Sequence, residues 1–357
     1  NEIINSTVES ANFLNASIEL SDTVNYSPLQ FEDIRLFYDP PGDAAINANY
    51  AYSFSKDSLH EGEDIQLIIG VSNPTPYAMD SLLNRVSIID ANNQLKSMQD
   101  LPSGGLDAYE NRIDTIVISS YGLQAQNRLQ FELNPLDGNG IPDQLEQNRF
   151  NNKLSIPFYV RNDQTQPIVD VTFDGLHIMN GEIKTPEPQI IVQHKYDSEY
   201  LVFSEISDTT NISIFIKSPN GNLEKINYNN PDLIYEFGSE SNNQLKVIYR
   251  PVFKEDGKYL MLVQAKDKSG NSSGSRDYEI EFEIITTAAV TQVLNYPNPF
   301  STRTQFVFTL TGSRIPDVFT IRIYTATGKI VKEIHKQDLG SLRIGNNITD
   351  YYWDGKD

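Results

Sequence analysis

Cysteine is absent from the 357 residues. This removes disulfides, thiolate metal sites and a cysteine nucleophile from the chain and leaves its redox compartment open. Positive charge is scarce: 28 Lys and Arg face 48 Asp and Glu, a formal net charge of −20. Binding to a phosphate backbone rests on clustered cations, so nucleic acid is not expected as a partner. Long apolar runs are missing as well. The longest, such as Leu67-Ile68-Ile69-Gly70-Val71, have strand length and fall far short of the roughly 20 residues of a membrane helix. No direct membrane insertion is expected from them.

Catalytic signatures are equally thin. The four histidines, His60, His177, His194 and His335, are scattered along the chain. There is no His-Glu-x-x-His helix, no Walker loop and no dinucleotide fingerprint. No catalytic or cofactor-binding residue is assigned, and the chain is read as a non-enzyme. Its ends, Asn1-Glu2-Ile3-Ile4 and Asp354-Gly355-Lys356-Asp357, suit a piece of a longer protein: the first lacks an initiator Met and the second is a turn without its return strand.

What is abundant is alternation. Apolar residues recur at period two, the mark of half-buried strands. They do so at Ile65 to Val71, Arg112 to Ile118, Leu129/Phe131/Leu133 and Leu154/Ile156/Phe158/Val160. The pattern returns at Ile212/Ile214/Ile216, Leu245/Val247/Tyr249, Tyr259/Met261/Val263 and Tyr278/Ile280/Phe282/Ile284. A third set is Phe306/Phe308/Leu310, Phe319/Ile321/Ile323 and Ile330 to Ile334. Nineteen Tyr and 17 Phe beside one Trp suit pleated surfaces. The best helical candidate, Asp143 to Phe150, is at most two turns long.

Turn clusters at Asp39-Pro40-Pro41-Gly42, Asn162 to Pro167 and Thr286-Thr287-Ala288-Ala289 divide the chain. Residues 1–50 read as the tail of a preceding β domain. Residues 51–163 and 168–286 are each near the ~100 residues of an Ig-type sandwich, and 290–357 is a shorter third block. The fold class is therefore all-β, as tandem antiparallel sandwiches. Asn295 to Phe300, stiffened by two prolines, belongs before or at an edge strand. Ala265 to Asn271 is a polar turn after a strand.

One loop carries a metal signal. In Asp137-Gly138-Asn139-Gly140-Ile141-Pro142-Asp143-Gln144-Leu145-Glu146, oxygen ligands alternate with glycines that permit a tight turn, as a hard Ca²⁺ ion requires. It resembles the calcium loops of thrombospondin type 3 repeats, which implies Asp137, Asn139, Asp143 and Glu146 as calcium ligands. The same residues also suit an Asx-rich turn leading into a short helix.

The third block, with Tyr296-Pro297-Asn298-Pro299-Phe300, Phe306-Val307-Phe308-Thr309-Leu310, Ile323-Tyr324-Thr325-Ala326-Thr327-Gly328-Lys329 and Trp353-Asp354-Gly355, resembles a FlgD-type Ig-like domain, truncated after its Trp-Asp-Gly segment. Upstream, Asp170 to Gly181 and Phe253 to Tyr259, with its Asp256-Gly257 turn, resemble the Ig-like module of the PorU-like sortases of the type IX secretion system. Those proteins carry a gingipain-family cysteine peptidase domain. Phe131-Glu132-Leu133-Asn134-Pro135 and Phe150-Asn151-Asn152 resemble the CARDB-like domain that precedes that module. With no cysteine in the chain, no catalytic role carries over. The resemblance implies a non-catalytic structural or docking region of a cell-envelope protein, at the outer-membrane surface or in the periplasm. It would support cargo processing, anchoring, surface display or gliding motility, with other type IX secretion or outer-membrane envelope proteins as partners. Asp57-Ser58-Leu59, Asp80-Ser81-Leu82 and Asp114-Thr115-Ile116 resemble O-glycosylation sites of bacteria with this system. A second reading, from the 36 Tyr and Phe and the many Asn and Asp, is a carbohydrate-binding or adhesive module of a surface protein.

Overall fold

The computed structural model describes Val24 and residues 40–196, 198–239 and 242–356. Two compact units divide the chain, Asn1–Pro41 and Gly42–Asp357, and the described residues belong almost entirely to the second. The fold is all-β, with about half of the described residues in strands, and the alternating segments named above lie in or directly beside them. No helix among the described residues is long and apolar enough to cross a membrane.

The first sandwich closes two sheets over one core. In one, Asp64–Ser72 is central, with Asn111–Ser119 along one edge and the short Ala45–Ile46 and Tyr52–Phe54 along the other. The other runs Ser58–His60, Lys153–Arg161, Ala125–Leu133, Leu82–Asp90, Leu95–Ser103, antiparallel except for the first pair. Alternation puts Ile65, Leu67, Ile69 and Val71 on the inner face opposite Leu129, Phe131, Leu133, Phe158 and Val160. Each fully buried large side chain contributes about 1.5–3 kcal/mol.

Two readings of the sequence change here. Residues from Gly42 onward are built into this sandwich and not into a preceding domain: Ala45 and Ile46 pair with Ser72 and Val71, and the Asp43 carboxylate accepts from Asn148 N and Asn151 Nδ2. The tail expected over residues 1–39 falls, apart from Val24, outside the described residues. The expected helix at Asp143 to Phe150 is an irregular excursion. Its backbone donors go to tertiary partners: Gln144 N to Asn134 Oδ1, Gln147 N to Gly42 O, and Asn148 N to Asp43 Oδ1. These three donors are lost to an i to i−4 ladder.

The second sandwich pairs a sheet of Ile168–Phe173, Ile190–Lys195, Asn242–Tyr249 and Leu233–Ser239 with one of Glu182–Lys184, Tyr278–Ile284, Gly257–Ala265, Ile212–Lys217 and Leu223–Lys225. Its core is aromatic. The Phe282 ring lies 5.1 Å from Phe173, 5.3 Å from Phe253 and 5.6 Å from Tyr259.

The third sandwich is thinner. Ala289–Tyr296, Gln305–Thr311 and Gly345–Ile348 form one sheet, and Thr320–Tyr324 and Ile330–His335 the other. Only Phe306, Ile334 and Leu339 are buried in its core cluster, with Phe319, Ile321, Ile323 and Trp353 half-buried around them. The proline-stiffened Asn295 to Phe300 segment leaves the edge strand Ala289–Tyr296, as its missing donors require.

Candidate functional site

The Asp137–Glu146 loop opens on an Asx turn. Asp137 Oδ1 accepts from Asn139 N and Ile141 N, each at 2.8 Å, and Oδ2 faces Asn139 Nδ2 at 3.4 Å. These donors hold the Asp137 carboxyl below the usual range. Asp143 is exposed. Glu146 has other partners: its carboxylate accepts from Asn134 Nδ2 and, at 2.6 Å, from Asn152 Nδ2. Burial pushes Glu146 up to about 7 against the pull of those amides and of Arg149.

Of the four expected calcium ligands, hydrogen bonds thus join Asp137 with Asn139 and tie Glu146 to Asn134 and Asn152. Among the described residues no three His, Asp or Glu side chains gather as a metal site, so a calcium ion in this loop would need amide and backbone oxygens as well. Asn134 and Asn152, both fully buried, are the residues sequence reasoning missed. Their cue was the Asn134-Pro135 pair that follows a strand. The expected glycosylation triplets place Ser81 and Thr115 in the open and leave Ser58 half-buried beneath Arg161.

The junction between the first and second sandwiches is the more elaborate feature. Its linker is held by Asp163, whose carboxylate accepts from the Tyr196 hydroxyl and whose carbonyl accepts from Asn271 Nδ2 at 3.0 Å. Asn271 in turn donates to the Asp267 carboxylate from N and Nδ2 at 2.8 and 2.9 Å. Burial holds that carboxyl above its ordinary range. The polar turn read at Ala265 to Asn271 is therefore a clamp on the linker. Leu201 reaches from the second sandwich onto Gly62 of the first. Gly62 has φ +87°, a backbone conformation that L side chains rarely adopt, and a Cβ there would lie 2.4 Å from Leu201 Cδ2.

Beside this contact opens a cleft of about 760 Å³. Tyr121 and Ser119 from the first sandwich and Glu199, Tyr200, Glu205 and Thr210 from the second line it. The Tyr200 ring stacks on His60 at 6.0 Å and 16°. At the floor, Lys268 Nζ meets the buried Asp208 carboxylate at 3.0 Å.

The second junction carries an ion cluster in which Glu182 and Lys184 are buried and Arg343 is exposed. Lys184 Nζ lies 3.2 Å from Glu182 Oε1, and Arg343 Nη2 from the third sandwich lies 3.9 Å from the same oxygen. Gly312 N donates to Ile285 O at 3.0 Å beside it. Gly345, at φ +99°, lets the third sandwich approach so closely that a Cβ there would sit 2.7 Å from Ile183 O.

The four histidines do not share a site. His60 packs on Tyr200. His177 Nε2 meets Asp170 Oδ1 at 2.7 Å on the open surface, and His335 Nδ1 lies 3.5 Å from Thr320 Oγ1. His194 is fully buried against Phe203, at 4.9 Å between rings, with neither ring nitrogen hydrogen-bonded. Burial lowers it to about 4.

No family model matches the chain, and no curated protein matches it significantly. Solved structures do. The CARDB domain of a Pyrococcus furiosus protein, solved with di-metal ions, is 18% identical; the match covers 39% of this chain and 99% of that one, at a TM-score of 0.25. Dimeric latent PorU from Porphyromonas gingivalis is 11% identical, and the match covers 88% of this chain at a TM-score of 0.26. It spans only 30% of PorU. The FN1-FN3 domains of chicken CNTN1 are 10% identical, with 68% of each chain covered and a TM-score of 0.22.

Proposed function

We propose that this chain is a non-catalytic spacer and docking region of a cell-envelope protein of the type IX secretion system, similar to the region that accompanies the peptidase domain of PorU-like sortases. The observation that carries the reading is the construction of its junctions. The linker is clamped onto the second sandwich through Asp163 with Tyr196 and Asn271, and Arg343 of the third sandwich reaches the buried Glu182–Lys184 pair of the second. Domains linked through open surface alone move relative to one another by default. Groups held in this way suit a part that sets a distance or presents a face. The sequence motifs shared with the CARDB-like, Ig-like and FlgD-type modules supply the secretion context. A net charge of −20 fits a surface that stays clear of nucleic acid and of the anionic headgroups of a membrane.

Small-angle scattering tests the spacer half. The wild-type chain should scatter as a single rigid body in its Gly42–Asp357 part, and Asp163→Ala with Asn271→Ala should broaden its distance distribution. Unchanged scattering from that double variant counts against the reading. Co-sedimentation with purified outer-membrane components of a type IX system tests the docking half, and absence of binding to all of them overturns it. Recovery of the native protein from the cytosol after cell fractionation would overturn the envelope placement.

A further inference from the structure

We propose that the cleft between the first and second sandwiches is a binding site for a neutral saccharide chain. This goes beyond the spacer reading and does not rest on it.

The cleft's volume, about 760 Å³, falls within the range of sites that take a small organic ligand. Its walls differ from a core. Tyr121 is 56% exposed and Tyr200 41% exposed, so neither ring is spent on folding. Both are nonetheless held in place. His60 supports one face of Tyr200 at 16° between planes. The Tyr121 N–H donates to Ser119 Oγ at 3.2 Å, and its hydroxyl reaches Lys268 O at 3.4 Å. Rigid tyrosines offer a large amphipathic contact at little entropic cost.

A pyranose ring presents an apolar C–H face bordered by hydroxyls. The first suits a tyrosine ring. The second need acceptors and donors at the rim, which Glu199, Glu205 and Thr210 supply from the facing sandwich. Charge narrows the choice further. Lys268, the cation of the lining, is neutralised by Asp208 at 3.0 Å, so Glu199 and Glu205 leave the cleft negative. Sulfated sugars and uronates would meet like charge there, which costs affinity and suppresses the wrong partner.

Calorimetric titration of the full chain with cellohexaose, maltohexaose and chitohexaose, and with a heparin-derived hexasaccharide as the anionic control, tests the assignment. At least one neutral hexasaccharide should bind and the heparin fragment should not. Tyr121→Ala and Tyr200→Ala should each weaken the binding roughly tenfold or more, as truncation of an anchoring tyrosine does. Both side chains are exposed, so an unchanged melting temperature will confirm that the variants fold. Three results overturn the proposal: no neutral hexasaccharide binds, the heparin fragment binds as well as they do, or the double variant binds like wild type.

Discussion

The first and second sandwiches have the same two-layer plan and interiors closed with a different emphasis. The second is closed by rings: Phe173, Phe253, Tyr259 and Phe282 interlock, and His194, packed against Phe203, is buried with neither ring nitrogen hydrogen-bonded. The first, whose core is largely aliphatic around Phe131 and Phe158, adds a buried polar cluster in which Asn134 and Asn152 hold Glu146 and the 134–152 excursion. An apolar interior is bound by area and shape. A polar one is bound by partners, and it costs most when a single partner is lost. One chain thus carries two ways of closing a sandwich, and they should respond differently to mutation and pH.

The sharpest break falls on the aromatic core. Phe282→Ala should cost about 3–5 kcal/mol, read as a drop in the urea midpoint with the slope little changed; a loss below 1 kcal/mol would show that the rings are not the keystone. His194 comes next. Its native value near 4 lies below its ordinary 6.5, so as pH falls the unfolded chain takes up the proton first. The stability His194 supports is complete above 6.5 and is lost as pH falls toward 4, about 3 kcal/mol in all. His194→Leu should abolish that acid-side loss in denaturation at stepped pH.

In the first sandwich, Asn152→Ala removes the donor to Glu146 Oε2 and to Leu133 O, and should cost about 2 kcal/mol. Glu146 itself gives the opposite pH slope to His194. Its native value near 7 lies above the ordinary 4.5, so its contribution is complete below 4.5 and fades as pH rises through 7. Glu146 is only half-buried, and screening reduces the change to about 1 kcal/mol; Glu146→Gln should flatten it. The smallest effect belongs to the calcium expectation for Asp137, Asn139, Asp143 and Glu146. A site half-filled with calcium would stabilise the chain by only about 0.4 kcal/mol, visible as a small rise in melting temperature that Asp137→Ala removes. No rise at any calcium concentration would end that expectation.

Legibility followed the same divide. The aromatic alternation of Tyr259/Met261/Val263 and Tyr278/Ile280/Phe282/Ile284 announced its strands because a half-buried sheet imposes period two on the sequence itself. The excursion at 134–152 gave no such notice. Asp143 to Phe150 looked helical by local pattern, yet Asn134, outside the segment, and Asp43, 105 positions away, take two of its backbone donors. The same holds for Ala45 and Ile46, too short to read as a strand until Ser72 and Val71 pair with them. The cleft was legible only in part. Tyr121 and Tyr200 lie 79 positions apart, and no spacing rule joins them.

Composition and periodicity alone determined the all-β class, the succession of three blocks, the acidic character and the absence of thiol chemistry, because each is a sum or a local repeat along the chain. Tertiary structure decided which strands share a sheet, which carboxylate is buried, how Gly62 admits Leu201, and that two exposed tyrosines face one cleft. Those outcomes depend on groups far apart in sequence meeting at distances of a few ångströms, and only the closed sandwiches bring them there.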